Sequence, residues 1–129
     1  MDEHNSFPIT GPGVTRYPWI TGLHGLSGVS IQAQLAYGAG GEEITVYVQS
    51  SIDGGDTAFD IAAFEFRQES QLWLASVAAT SGQGAVAPPV EALEPGQAFG
   101  GILGDRLRVV AKVKGTYRDT FLRVAVATR

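Results

Sequence analysis

No cysteine occurs among the 129 residues. Disulfide staples, thiolate nucleophiles and zinc sites built on cysteine are therefore excluded. Histidine is nearly as scarce, with His4 and His24 alone. Long hydrophobic runs are missing as well: no stretch approaches the ~20 apolar residues of a membrane helix. The opening MDEHNSFPITGPG has neither a basic start nor an apolar run, so no secretory signal is read there. These absences predict a chain made in the cytoplasm that makes no membrane contact. Bases are thin over most of the chain. Residues 1–105 hold twelve acids against two bases, Arg16 and Arg67, whereas residues 106–129 hold seven bases and one acid, Asp119. Such segregation predicts either a basic edge meeting an acidic neighbour, or two segments that neutralise each other within the fold.

What is abundant is glycine, with 17 residues, and together with six prolines it cuts the chain into short pieces. Apolar residues make up 44% and charged residues 17%, which is a globular rather than a disordered composition. Period-two patterning begins at Gly28. In GVSIQAQLAYG, residues Val29, Ile31, Ala33, Leu35 and Tyr37 share one face. In EITVYVQSSI the inward row is Ile44, Val46, Val48, Ser50 and Ile52, and in AFDIAAFEF it is Ala62, Phe64 and Phe66. LWLASVAAT is apolar enough to be a buried strand, with a short helix as its alternative. In RLRVVAKVKG, residues Leu107, Val109, Ala111 and Val113 point inward; Arg106, Arg108, Lys112 and Lys114 point outward. TYRD reads as a turn, and Leu122, Val124 and Val126 line one face of the closing strand.

Six or seven antiparallel strands and no convincing helix predict an all-β chain, a β-sandwich or jelly roll over residues 28–129. Residues 1–27 are expected to form an extended N-terminal arm. Pro8, Pro12 and Pro18 argue against a regular ladder there, while Phe7, Tyr17 and Trp19 need a surface to lie on. The Pro-rich stretch 82–101 is long for a loop, as functional or interface-forming loops are.

The stretch SIDGGDTAF, Ser51 to Phe59, sits between two strand patterns. Ser51, Asp53, Gly55 and Thr57 resemble the Asp-box of sialidases and related β-propellers, although the tryptophan usual at the next position is here Ala58. The resemblance implies a structural hairpin turn with no activity attached. Elementary turn chemistry points the same way: Asp53 can accept from its own turn, and Gly54 and Gly55 supply positive φ. Asp53, Asp56 and Asp60 do not follow the spacing of an EF-hand loop, so no metal is assigned. No nucleophile elbow or phosphate loop accompanies His24 and Ser27, so no catalytic residue and no cofactor is assigned. The stripe Arg106, Arg108, Lys112 and Lys114 lacks interleaved aromatics, which argues for an edge or subunit contact rather than nucleic acid.

Over about residues 29–127 the succession VYVQSSIDGGDTAFDIAAFEF, then GGILGDRLRVVAKVKGTYRDTFLRVAVATR, resembles small virion structural proteins of tailed bacteriophages. Head decoration (cement), head–tail connector and tail proteins belong to that group. The resemblance implies a non-enzymatic subunit located in the virion and made in the host cytoplasm. It would contact copies of itself, as a trimer if a cement protein, and other virion chains such as major capsid or tail proteins. Phe7, Tyr17, Trp19, Arg106, Arg108, Lys112 and Lys114 are then the interface candidates. A reading of another class is a carbohydrate-binding sandwich using Tyr47, Trp73 and the Asp53 turn.

Overall fold

The protein's structure, a computed structural model, describes residues 2–80, 82 and 84–129, with side chains described from Ser6 onward. Its ten strands are β1 (Asp2–Ile9), β2 (Gly13–Arg16), β3 (Gly28–Ala36), β4 (Ala39–Gly40), β5 (Glu43–Ser51), β6 (Phe59–Phe66), β7 (Gln71–Ala78), β8 (Arg106–Lys114), β9 (Tyr117–Arg118) and β10 (Thr120–Thr128). Among the described residues there is no helix, and the chain is all-β. Sheet I has the order β1-β10-β3-β7, sheet II the order β2-β8-β5-β6, and β4 pairs with β9 in a two-stranded ribbon. Every strand pairing is antiparallel.

Two long runs of chain stay together from one sheet to the other. β3 lies on β10, β4 on β9, and β5 on β8. The bend between the sheets falls at the small ribbon. Gly40, Gly41 and Gly115 take positive φ there, which only glycine adopts readily. Gly41 also lies against the ring of Tyr117, where a Cβ would collide with the aromatic carbons. Tyr117 is only 1% exposed and its hydroxyl donates to the Arg67 carbonyl at 2.7 Å. The stretch expected to be a simple turn is thus a buried corner. Burial holds the Tyr117 phenol protonated, its pKa pushed up to about 12.

The period-two rows do become the core. Val29, Ile31, Ala33 and Leu35 of β3 join Leu122, Val124 and Val126 of β10 on one side. Ile44, Val46 and Val48 of β5, Phe64 and Phe66 of β6, and Leu107 and Val109 of β8 join them from the other sheet in a single cluster. Each such side chain taken from water contributes ~1.5–3 kcal/mol. Ile52 leaves the inward row: it stands in the turn after β5 and is 72% exposed.

Three expectations need correction. The N-terminal stretch was expected to avoid regular ladders, yet β1 pairs with β10 through Pro8, opposite Phe121, and β2 pairs with β8. Both are edge strands, and an edge strand has one side where a missing N–H breaks no ladder. The basic strand β8 was expected at an edge or subunit contact, and the edge alternative falls: it is interior, with β2 on one side and β5 on the other. Finally, the apolar run of β7 is a strand, but at an edge and only half covered. Leu72 is 50% and Leu74 68% exposed.

Candidate functional site

The two sheets differ in what covers their outer faces. On sheet II the outer row contains Tyr47, Gln49 and Ser51 of β5, Ala63 of β6, and Arg108, Val110 and Lys112 of β8. The Pro-rich segment lies over this row. Tyr47, Ala63 and Val110 are buried there, with Leu93 of the segment packed on them. A strand buried on both faces was not expected for β5, because the covering segment is distant in sequence.

One carboxylate fastens the segment. Asp60 is fully buried and accepts four hydrogen bonds. Its Oδ1 accepts from Gln49 Nε2 at 2.9 Å and from the Glu91 N–H at 2.9 Å. Its Oδ2 accepts from the N–H groups of Ala92 at 2.9 Å and Leu93 at 3.1 Å. Three successive backbone N–H groups thus converge on one anion, the concave arrangement that substitutes for lost hydration. Glu91 adopts φ 51° to make this possible. A non-glycine residue in that region is disfavoured by ~1–2 kcal/mol.

Period two alone would put Asp60 on the core row with Ala62 and Phe64. A β-bulge between Val48 and Gln49 in the pairing with β6 changes this. Ala62 lies opposite Val48, but Asp60 lies opposite Gln49, so Ile61 is the extra residue. The bulge re-aims Asp60 to the outer face. No local composition marks it in the sequence.

The expected interface bases are also engaged here. Arg108 donates from Nε to Gln49 Oε1 at 2.9 Å, and its guanidinium lies 4.5 Å from the centre of the Trp19 ring. Arg106 pairs with Asp105 and donates to the Gly54 carbonyl at 3.0 Å. Lys112 lies 3.6 Å from Glu91, and Lys114 3.4 Å from Glu43. Glu91 also takes a two-pronged grip from Arg16, at 2.7 and 2.9 Å, which holds its carboxyl below the usual range. Three of the C-terminal bases, Arg106, Lys112 and Lys114, therefore pair with acids of residues 1–105 within the chain. Phe7 and Tyr17 stack on each other, ring centres 3.8 Å apart. These two and Trp19 remain partly exposed.

The Asp53 turn joins β5 to β6. Ser51 Oγ donates to Asp53 Oδ1 at 2.8 Å and accepts from the Gly55 N–H at 3.0 Å. The Thr57 N–H donates to Asp53 Oδ1 at 2.8 Å. That backbone donor, then the side chains of Thr57 and Ser51, pull the Asp53 carboxyl down to about 2. Gly54 and Gly55 have φ of 79° and 96°, and the Trp19 indole sits against Gly55. Asp60 lies away from this turn's bonds, on the loop anchor. No group of three His, Cys, Asp or Glu that could hold a metal ion exists among the described residues. His24 is exposed between β2 and β3, and among the described residues no hydrogen bond joins it to Ser27. His4 lies among the residues whose side chains are outside the described set.

Among the described residues no such cover lies over the outer face of sheet I. Its rows run Leu72–Gln34–Arg123 and Leu74–Gln32–Ala125 across β7, β3 and β10. A shallow depression of about 700 Å³ is lined there by Ser30, Gln32, Leu74, Ser76, Arg123 and Ala125. Arg123 makes no ion pair among the described residues. Sequence reasoning missed this open face by assigning β7 to the interior. The aromatics proposed for sugar binding are elsewhere. Tyr47 is under the Pro-rich segment, and Trp73 packs against Phe64 while donating from Nε1 to the Glu65 carbonyl at 2.9 Å.

Comparison of the chain with protein families, with curated proteins and with solved structures found no match.

Proposed function

We propose that the chain is a structural subunit of a virion of the tailed-bacteriophage kind, a decoration protein that acts through surface contacts rather than chemistry. The observation that carries this reading is the strand order. β1 pairs with β10, β2 with β8, β3 with β7 and β5 with β6, nested as in a long hairpin rolled up on itself. Taken with one core cluster drawn from both sheets, that order supports the jelly-roll sandwich reading. Jelly rolls serve in viral capsid and lectin domains. The division of labour between faces supports the capsid side. One outer face is strapped down by the chain's own loop, and over the other no described segment lies. The N-terminal stretch, with Phe7, Tyr17 and Trp19 partly exposed along the edges, would add contacts at the rim. A head–tail connector or tail position uses the same surfaces.

The lectin side has one specific support, the depression on sheet I. Its lining carries two hydroxyls, one amide and one guanidinium but no exposed aromatic platform, so it ranks second.

The deciding experiment is location. An antibody to the chain should label particles that band in a density gradient at the buoyancy of packaged heads. Recovery only in the soluble fraction, together with retention on a glycan array, would move the assignment to carbohydrate binding.

A further inference from the structure

Four strands bound the two sheets, and three of them are guarded. The outer side of β6 is taken by the chain itself: Ala98 bridges to Ala62, the Phe99 N–H donates to the Ile61 carbonyl at 2.9 Å, and the Gly96 N–H donates to the Ala63 carbonyl at 2.8 Å. β2 is only four residues long, and Pro18 stands two residues beyond its end. β1 contains Pro8 and the acids Asp2 and Glu3. These are the usual means of blunting an edge: cover, brevity, proline and charge.

β7 has none of them. Among the described residues its one strand partner is β3. Only its C-terminal end is closed off, where Gly101 donates to the Ala78 carbonyl at 2.9 Å and bridges Ala79. From Ser70 to Thr80 the sequence SQLWLASVAAT holds no charge and no proline. Its outward side chains include Leu72 and Leu74, the half-bare leucines at the rim of the open face.

We propose that β7 is a self-association edge, pairing antiparallel with β7 of a second copy so that sheet I continues through both molecules as one eight-stranded sheet. This rests on the structural-subunit reading above. A row of unpaired backbone donors and acceptors requires a strand as its occupant. A second copy fits because a segment without charges meets itself with no like-charge repulsion, whereas charged edges resist their own copies. The leucines set the register. For the outer faces of both copies to lie on the same side, paired residues must have numbers of equal parity. Centred on Trp73, the pairing puts Leu72 opposite the partner copy's Leu74, and Leu74 opposite the partner copy's Leu72. Four leucines that are exposed singly then cover one another. The contact is isologous and closes as a two-fold dimer.

The test is sedimentation velocity of the full chain at low and high salt, beside the double variant Leu72→Lys/Leu74→Lys and beside cysteine crosslinking. The chain's lack of cysteine makes that readout clean. The expected result is a dimer, or an even-numbered assembly, that survives high salt, since backbone pairing and apolar contact are little screened. The double lysine variant should unfold at nearly the native temperature yet dissociate at concentrations at least about tenfold higher, because like charges then stand opposite each other. Mixed Leu72→Cys and Leu74→Cys proteins should form a disulfide-linked pair on oxidation, in preference to either variant alone. An oligomer of unchanged size in the lysine variant, without the mixed disulfide, overturns the β7 contact and leaves self-assembly standing. A monomer at every concentration, again without the disulfide, also overturns it; whether that monomer still bands with particles then decides the structural reading separately.

Discussion

Gln49 and Asp60 stand side by side on the outer face of sheet II, 2.9 Å apart, although simple alternation would send Asp60 into the core. The bulge that brings them together turns a misfit into an anchor for some twenty residues of irregular chain.

That anchor predicts an asymmetry between two nearby acids. In Asp60→Asn an amide nitrogen must face N–H donors, and a buried donor left unpaired costs ~1–3 kcal/mol. The variant should lose about 2–4 kcal/mol in urea unfolding, from one or two such losses, and become susceptible to protease within 82–101. Glu91→Gln should shift the midpoint little, because its partner Arg16 is half exposed and surface pairs contribute little. Equal losses in both variants would make the clasp a cooperative unit instead of a buried anchor with a surface latch.

Acid should probe the Asp53 turn. The carboxyl titrates at about 2 in the folded chain and near 3.9 in a free peptide. Its contribution is thus present above pH ~4 and is lost as pH falls from there towards 2. Urea midpoints measured between pH 5 and 2 should fall less steeply for Asp53→Asn than for the native chain. Identical slopes would mean that the turn's hydrogen bonds persist in the unfolded ensemble.

Alkali should probe the corner. With its phenol pushed up to about 12, Tyr117 contributes stability that is whole below pH ~10 and is lost as pH rises towards 12. Absorbance titration should show a late tyrosine step that coincides with unfolding and disappears in Tyr117→Phe. The same variant should lose about 1 kcal/mol at neutral pH with its hydrogen bond to Arg67.

Trp19 stacks under Arg108 and against Gly55, so Trp19→Ala should keep the fold but lose about 1–3 kcal/mol, combining cation–π and burial terms. Trp19→Phe should recover part of the loss. If Trp19→Ala is neutral for stability and instead abolishes particle binding, the residue serves a neighbour rather than its own turn.

The strands facing the core were legible because alternation is a local property. Val29 to Leu35 and Leu122 to Val126 alternate in the sequence and in the structure alike. What escaped was set by distant segments. Tyr47 and Val110 look solvent-facing until residues near Leu93 are known to lie on them. Pro8 looks like a ladder breaker until its strand is known to be an edge. β7 is the converse case: the same apolar run that signals burial in a central strand leaves bare leucines when the sheet stops there. Part of the charge segregation is neutralised inside the chain by contacts between distant segments, as where Lys112 meets Glu91.

The position of β10 has a kinetic consequence. It lies between β1 and β3, yet it is made after all nine other strands. Sheet I cannot close during synthesis, and β1 must wait for almost the whole chain before it finds its partner. Pairings of such long sequence separation fold slowly. During that wait the apolar row of β3, with Phe7 and Ile9 of β1, is exposed to other nascent chains, so yield in a host should depend on temperature and chaperone supply more than on the final stability of the fold.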